Sequence, residues 1–231
     1  MDLGQLPPRL AAIAELVPAE TRMVDVGTDH GLLPIRLLHD GRIASAIASD
    51  IRPGPLSHAK NSALINQTEN IRFVLCNGLE GISPDETDTI VIAGMGGESI
   101  ASILSSSPWS REKLLIMQPM SRPDILRRFL CSSGLRINDE RLVMDNRRIY
   151  SVIAAQKGIP LDLSDAEYYL GPFEFISKQP LFPAYIDRWM KRIHKALDGL
   201  ALSHGSDGND RILHLRHVYE QMAEMCMKKQ K

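Results

Sequence analysis

Short apolar runs alternate with helical patterns between residues 22 and 156, and this alternation constrains the fold more than any other feature. The apolar runs predict five strands, at Arg22–Val26, Ile43–Ser49, Ile71–Leu75, Asp88–Ala93 and Leu114–Met117. The stretches between them predict helices, near Pro34–His39, Pro55–Asn66, Glu98–Ser105 and Pro123–Ser133. Strands that alternate with helices form βαβ units, so the sequence predicts a parallel sheet in an α/β fold.

The pattern changes after the fifth predicted strand. Arg136–Met144 and Arg148–Ala155 are strand-like and leave no room for a helix between them, which predicts an antiparallel hairpin. A parallel sheet that ends in such a hairpin is typical of class I methyltransferases, a Rossmann-like fold. A leading helix that ends at Pro18 is predicted by apolar residues at helical spacing, namely Leu10, Ile13, Ala14 and Val17.

The last third of the chain has a different composition. Two long helical patterns, Pro183–Leu202 and Asn209–Met227, flank a linker at Ser203–Asp210 that is rich in Gly, Ser and Asp. They predict a helical hairpin that resembles a short antiparallel coiled coil. We therefore expect a methyltransferase domain at residues 1–158 and a helical domain at residues 159–231.

Composition narrows the class of protein. No apolar run approaches the roughly 20 residues that cross a bilayer, and the N-terminus lacks the pattern of a secretion signal. The three cysteines, Cys76, Cys131 and Cys226, are widely spaced, which predicts neither a metal site nor a disulfide framework. We expect a cytoplasmic protein without a bound metal. The net charge of −1 provides no overall positive field for nucleic acid, and the sequence leaves the oligomeric state open.

A glycine loop follows the first predicted strand. Gly27 and Gly31 enclose Thr28, Asp29 and His30, and a helical pattern begins directly afterwards. Glycines allow the backbone to approach a ligand closely, and a helix N-terminus offers free N–H groups to a carboxylate. The carboxylate of S-adenosylmethionine suits these N–H groups, and Asp25 or Asp29 could hold its ammonium.

A second acidic residue favours the same cofactor. Asp50 ends the next predicted strand, where a carboxylate can accept hydrogen bonds from both ribose hydroxyls. Asp50 could instead cap the helix that follows. NAD is the main competing ligand, but the loop lacks the Gly-x-Gly-x-x-Gly pattern and its aspartates would repel a pyrophosphate. The charges therefore favour a cationic sulfonium nucleoside over NAD.

Two further corners continue this pattern. Asn77 and Gly78 follow the third predicted strand, either as an adenine contact through the Asn77 carbonyl or as a simple turn. The fourth predicted strand ends in Gly94, Met95, Gly96 and Gly97. Three glycines in four positions indicate a loop in close contact with a ligand.

Four short motifs then indicate a family. They are Arg9-Leu10, Asp29-His30, the segment Ile92–Gly97 and Gln118-Pro119. With these motifs the chain resembles the bacterial TrmK family of tRNA (adenine-N1)-methyltransferases, which modifies the adenine at position 22 of tRNA. The resemblance spans the chain, with departures at Met120, where Asn is common, and at Asn77, where Asp is common.

The loops and the resemblance together give a set of candidate residues. S-adenosyl-L-methionine is expected to contact Asp25, Gly27, Thr28, Asp29, Gly31, Asp50, Ile51, Asn77, Gly78, Leu79, Gly94, Met95 and Gly96. Adenine N1 has an in-plane lone pair and attacks a methyl group without a strong base, so positioning should supply much of the rate. The candidate catalytic residues are Asp29, His30 and Met95; His30 could alternatively only orient the loop.

A tRNA substrate requires contacts to phosphates. Arg188, Lys191, Arg192 and Lys195 share one face of a predicted helix, which is either an RNA contact or a solvated surface. Further candidates for RNA contact are Arg9, Gln118, Arg127 and Arg128. Two other functions stay open at this point: methylation of a small molecule or a protein, and non-catalytic binding of tRNA or a nucleotide.

Overall fold

A computed structural model describes residues 4–201 and 208–229 of the 231-residue chain. The chain divides into two compact units, Met1–Pro160 and Leu161–Lys231. Among the helices of these described residues, none combines the length and the hydrophobicity of a transmembrane span.

The first unit is built on a seven-stranded sheet. The strands are β1 (Arg22–Val26), β2 (Ser45–Asp50), β3 (Ile71–Leu75), β4 (Thr89–Gly96), β5 (Leu114–Ser121), β6 (Leu135–Asp145) and β7 (Arg148–Lys157). They lie in the order β3-β2-β1-β4-β5-β7-β6. Strands β1 to β5 are parallel, β7 is antiparallel to β5, and β6 pairs with β7. The predicted parallel sheet that ends in a hairpin is confirmed.

Helices accompany the strands of this sheet. They are α1 (Pro8–Leu16), α2 (Leu32–His39), α3 (Pro53–Ile65), α4 (Gly97–Ser106) and α5 (Pro123–Ser132). Ile90–Ile92 in β4 and Leu115–Met117 in β5 are fully buried. Their successive apolar positions are therefore covered on both faces, as the sequence pattern indicates.

Several boundaries differ from the sequence-based expectation. Strand β4 continues through Gly94–Gly96, and β5 continues through Gln118 and Pro119. Backbone pairing between these two strands persists past Ala93 with register shifts, so the second glycine segment is an irregular strand end rather than a loop. The second strand begins at Ser45, two residues later than expected.

A two-residue turn joins β6 to β7. Asp145 and Arg148 are opposite each other in the ladder, and Asn146 and Arg147 between them have φ values of 46° and 63°. Two consecutive left-handed residues define the turn type that fits the twist of a hairpin.

The second unit is helical. Its helices are α6 (Asp165–Leu170), α7 (Phe173–Ile176), α8 (Phe182–Ala201) and α9 (Gly208–Lys229). Helices α8 and α9 contact each other, and their buried residues include a series spaced three or four apart, namely Ile186, Trp189, Ile193, Leu215, Val218 and Met222. This spacing is typical of coiled-coil packing. Most of the predicted linker lies outside the described residues.

Sequence analysis missed the short helices α6 and α7. Helix α6 begins with a capping box, in which Ser164 and Glu167 each accept a hydrogen bond from the other's backbone N–H. This Ser-x-x-Glu pattern is a known signal for a helix start and could have revealed α6.

Candidate active site

A cavity of about 840 Å³ opens at the carboxyl edge of the parallel strands. Residues from the ends of β1, β2 and β4, from the turn after β3, and from α1 and α4 line it. This is the edge at which open α/β sheets bind ligands. Nine of the thirteen predicted cofactor residues line the cavity, namely Asp25, Gly27, Asp29, Asp50, Ile51, Asn77, Gly78, Gly94 and Met95.

Gly27 shapes the floor of the cavity. Its N–H and that of Thr28 donate to the Ser49 carbonyl over 2.8 and 2.9 Å, which ties the first loop to β2. Gly27 has a φ of 74°, and a Cβ at this position would lie 2.2 Å from Cε of Met95. The thioether of Met95 therefore covers the backbone of the loop, and the left-handed φ of Gly27 is the feature that favours glycine here.

Two buried carboxylates face the cavity from neighbouring strands. Asp25 is 8% exposed and Asp50 is 6% exposed. Burial raises the pKa of Asp25 to about 6, and the negative charge of Asp50 adds to this rise. Two negative groups in a low-polarity setting gain from a cationic ligand, because such a ligand offsets both the desolvation and the repulsion.

The outer wall combines apolar and polar groups. Ile51, directly after Asp50, is 63% exposed although it lines the cavity, so its side chain is available to a flat ring. The Asp50 carboxylate accepts from the N–H of Arg52 over 2.8 Å. Asn77 donates through Nδ2 to Glu80 over 3.3 Å, and its carbonyl can still accept from a ligand.

Helix α4 provides a wall that sequence analysis missed. Glu98, Ser99, Ser102 and Ile103 all line the cavity. A Cβ on Gly97 would lie 2.1 Å from the backbone oxygen of Arg122, so α4 begins in direct backbone contact with the segment after β5. The four residues lie on one side of a helix that follows a glycine segment, and this spacing could have identified them.

Arg9 reaches the cavity from α1. Its Nε forms an ion pair with Asp145 at 3.2 Å, and its Nη1 lies 3.9 Å from Sδ of Met120. The same Nη1 would be 3.6 Å from a Cβ on Gly94. The guanidinium therefore lies at the side of the cavity formed by β4 and β5.

The other predicted residues lie elsewhere. Thr28 and Leu79 are buried beneath the site, and Gly31 and Gly96 support it without lining the cavity. His30 does not line the cavity either. Its ring stacks on His58 with centroids 5.1 Å apart, and Nε2 lies 3.4 Å from the Asp29 carboxylate. This arrangement agrees better with a loop-orienting role than with a catalytic one.

Two of the predicted RNA contacts are inaccessible. Gln118 is fully buried, and its Nε2 donates to the Pro119 carbonyl over 3.0 Å. Arg127 is also fully buried and pairs with Glu140. Neither side chain can reach RNA in this structure, because the strand extension at Gln118 and the buried carboxylate of Glu140 hold them inside. Arg128 is exposed.

The basic residues of α8 are exposed, as the helical spacing predicts. They are Arg188, Lys191, Arg192 and Lys195. Lys191 pairs with Asp187 at 2.7 Å, and the Arg192 guanidinium stacks on Trp189 at 4.8 Å. Within the described ranges, no group of three or more His, Cys, Asp or Glu side chains could hold a metal ion.

The sheet order, the acidic strand ends and the glycine turns define a class I methyltransferase. A family model described as a methyltransferase domain matches residues 6–153. The chain is 30% identical over 208 residues to the tRNA (adenine(22)-N(1))-methyltransferase of Bacillus subtilis, which covers 84% of this chain and 83% of that protein.

Solved structures agree with this assignment. The crystal structure of the B. subtilis tRNA methyltransferase TrmK superposes with a TM-score of 0.86 at 26% identity, over 96% of this chain and 98% of that one. A putative tRNA methyltransferase of Streptococcus pneumoniae, solved in complex with S-adenosyl-L-methionine, gives 0.76 at 33% identity, over 91% and 98%. The chain belongs to the TrmK family.

Proposed function

We propose that this protein transfers the methyl group of S-adenosylmethionine to N1 of adenine 22 in tRNA. The observation that carries the proposal is the pair of buried carboxylates, Asp25 and Asp50, at the mouth of one cavity. The target base is proposed from the name of the B. subtilis relative, and the cofactor from the S. pneumoniae structure, which was solved with S-adenosyl-L-methionine.

The residues of the cavity fit S-adenosylmethionine. Asp50 can accept from both ribose hydroxyls, and Asp25 can hold the ammonium group through its charge. Ile51 offers an apolar face to the adenine ring, and the Asn77 carbonyl can accept from its amino group. The volume of about 840 Å³ lies within the usual range of ligand pockets. When bound, the cofactor supplies an electrophilic methyl group on a sulfonium.

The chain's task toward the substrate is to position a flat base. N1 lies on the Watson–Crick edge, so the target adenine must be unpaired or flipped out of a helix. Met95 lies against Gly27 in the cavity wall, and its thioether can pack on the face of the base. N1 methylation creates a positive charge, which the carboxylates of Asp29 and Glu98 in the cavity wall can stabilise.

Methyl transfer to an unmodified tRNA transcript tests the proposal directly. The protein is incubated with radioactive S-adenosylmethionine and tRNA, and the nucleosides are then separated. We expect the label in N1-methyladenosine alone, and no label in a transcript in which guanine replaces adenine 22. Label in another nucleoside, or only in a protein or small molecule, would overturn the proposal.

Cofactor binding should weaken in mild acid. Because the pKa of Asp25 is about 6, this carboxylate is protonated below that pH in the free protein. Only its ionised form attracts the ammonium, so the Kd for S-adenosylmethionine should rise about tenfold between pH 7 and pH 5. Calorimetry across this range measures the effect, and Asp25→Asn serves as the control whose Kd should be nearly constant with pH. An equal pH dependence in both proteins would contradict this role of Asp25.

The helical unit is proposed as a second contact for tRNA. The exposed basic residues of α8, Arg188, Lys191, Arg192 and Lys195, support this through their charge. A location in the cytoplasm, where tRNA is modified in bacteria, stays a prediction.

A further inference from the structure

We infer that three arginines, one in the cavity wall and two in the neighbouring hairpin turn, hold the tRNA strand by its phosphates. Arg9 on α1, Arg147 in the β6–β7 turn and Arg148 at the start of β7 form this group, which we call the arginine rim. The inference rests on the proposed function and identifies an RNA contact within the first unit itself.

The topology places the hairpin turn beside the active site. β7 is antiparallel to β5, and β6 is antiparallel to β7, so β6 runs in the same direction as the parallel strands. Its end at Asp145 therefore lies at the carboxyl edge, where the cavity opens. The ion pair of 3.2 Å between Asp145 and Arg9, which lines the cavity, confirms this proximity.

The charges of the rim are only partly balanced. Asp145 is 7% exposed and engages Arg9. Arg147 and Arg148 are exposed, and neither forms an ion pair with a carboxylate of residues 4–201 or 208–229. Among the described residues, the carboxylate of Asp145 is thus the one ion-pair partner of the three guanidinium groups. Exposed, uncompensated guanidinium groups are well suited to phosphate, which they can bind through two hydrogen bonds.

The turn itself favours a ligand contact over a purely structural role. Arg147 has a φ of 63°, in the second position of a turn where glycine is the favourable residue. An arginine here costs backbone strain that a glycine would avoid. The side chain is exposed and packs into no core, so burial of apolar surface does not compensate for this conformation.

Phosphate contacts near the cavity suit the proposed reaction. A flipped adenine leaves its neighbouring phosphates at the protein surface, and fixing them sets the depth to which the base enters. The ion pair between Asp145 and Arg9 connects the hairpin turn to the cavity wall, so the position of the RNA strand on the rim would determine how deeply the base enters the cavity. Base identity would be read in the cavity, whereas the rim would bind any sequence.

The test compares Arg147→Gly and the double variant Arg147→Gly/Arg148→Ala with the wild-type chain. Methylation of tRNA is measured at several salt concentrations, with Arg136→Ala as the matched control. Arg136 is also exposed on this hairpin, but it lies at the opposite end, where it is the ladder partner of Gln156 between β6 and β7. We expect the double variant to raise KM for tRNA about tenfold with little change in kcat, and to reduce the salt dependence of binding by about 1.5 in the log–log slope.

Stability separates a lost contact from a damaged fold. The Arg147→Gly variant should melt at or above the wild-type temperature, because glycine relieves the strained turn, and its affinity for S-adenosylmethionine should be unchanged. A double variant with the KM and salt dependence of wild type and Arg136→Ala would overturn the inference. The proposed function would survive that result, since it fails only if the wild-type chain does not methylate adenine 22.

Discussion

Replacing Asp50 by Asn should weaken the binding of S-adenosylmethionine about 100-fold. Asp50 is 6% exposed at the end of β2, and its carboxylate is the acceptor that the ribose hydroxyls would meet. Hydrogen bonds to a charged group contribute about 1.5–3 kcal/mol each, so loss of the charge from two of them amounts to roughly two orders of magnitude. Calorimetric titration of the purified protein measures this change.

Asn is chosen because it preserves shape. Its carbonyl can still accept from the N–H of Arg52, so the turn after β2 should stay intact. Glu69→Gln provides the control, because Glu69 is an exposed acid just before β3, at the opposite edge of the sheet. A Kd within threefold of wild type in Asp50→Asn would show that the ribose is held elsewhere. In that case the carboxylate would serve only as a cap for the backbone.

Replacing Arg127 by Met should destabilise the first unit by about 3–5 kcal/mol, the usual cost of leaving one charge of a buried pair alone. Nε and Nη2 of Arg127 reach the two carboxylate oxygens of Glu140 at 3.1 and 2.5 Å, and Nη2 also donates to Ser151. Both members of the pair are fully buried. Burial already raises the pKa of Glu140, and Arg127 opposes this rise. Without Arg127, either the buried carboxyl of Glu140 would become protonated or the first unit would unfold.

Thermal unfolding measures this loss as a decrease of about 10 °C or more in the melting temperature. The double variant Arg127→Met/Glu140→Leu removes the charge as well as its partner and should recover much of the loss. A melting temperature for Arg127→Met close to that of wild type would refute the structural role of the pair. It would also reopen the possibility that Arg127 faces solvent and RNA.

The sequence predicts the fold well because each strand and helix of the sheet has its own local pattern of apolar residues. Buried runs such as Ile90–Ile92 and the absence of a helix before Arg148 were sufficient to predict a parallel sheet that ends in a hairpin. The cofactor edge was predictable for the same reason, since Asp25 and Asp50 each follow directly from a strand end. In a parallel sheet such strand ends lie at one edge, so residues that are far apart in the sequence lie close together in space.

What the sequence could not provide depends on long-range contacts. Gln118 follows an apolar run like any strand-end residue, but pairing with β4 extends the strand and buries it. Arg127 resembles a surface residue of α5 until Glu140, thirteen positions later, is found inside beside it. The ion pair between Arg9 and Asp145 joins the two ends of the first unit, and no local pattern indicates it.

The contact between Gly97 and the Arg122 carbonyl has a consequence for variation in this chain. A single added methyl group would force apart two backbones, neither of which can rotate away as a side chain can. In a library of all single substitutions, position 97 should tolerate no replacement, although codons for alanine and serine are one nucleotide from those for glycine. Gly54, which has open space around its α-carbon, should accept alanine freely. Under selection for enzyme activity, Gly97 in the wall of the cavity should therefore be invariant, whereas Gly54 should vary.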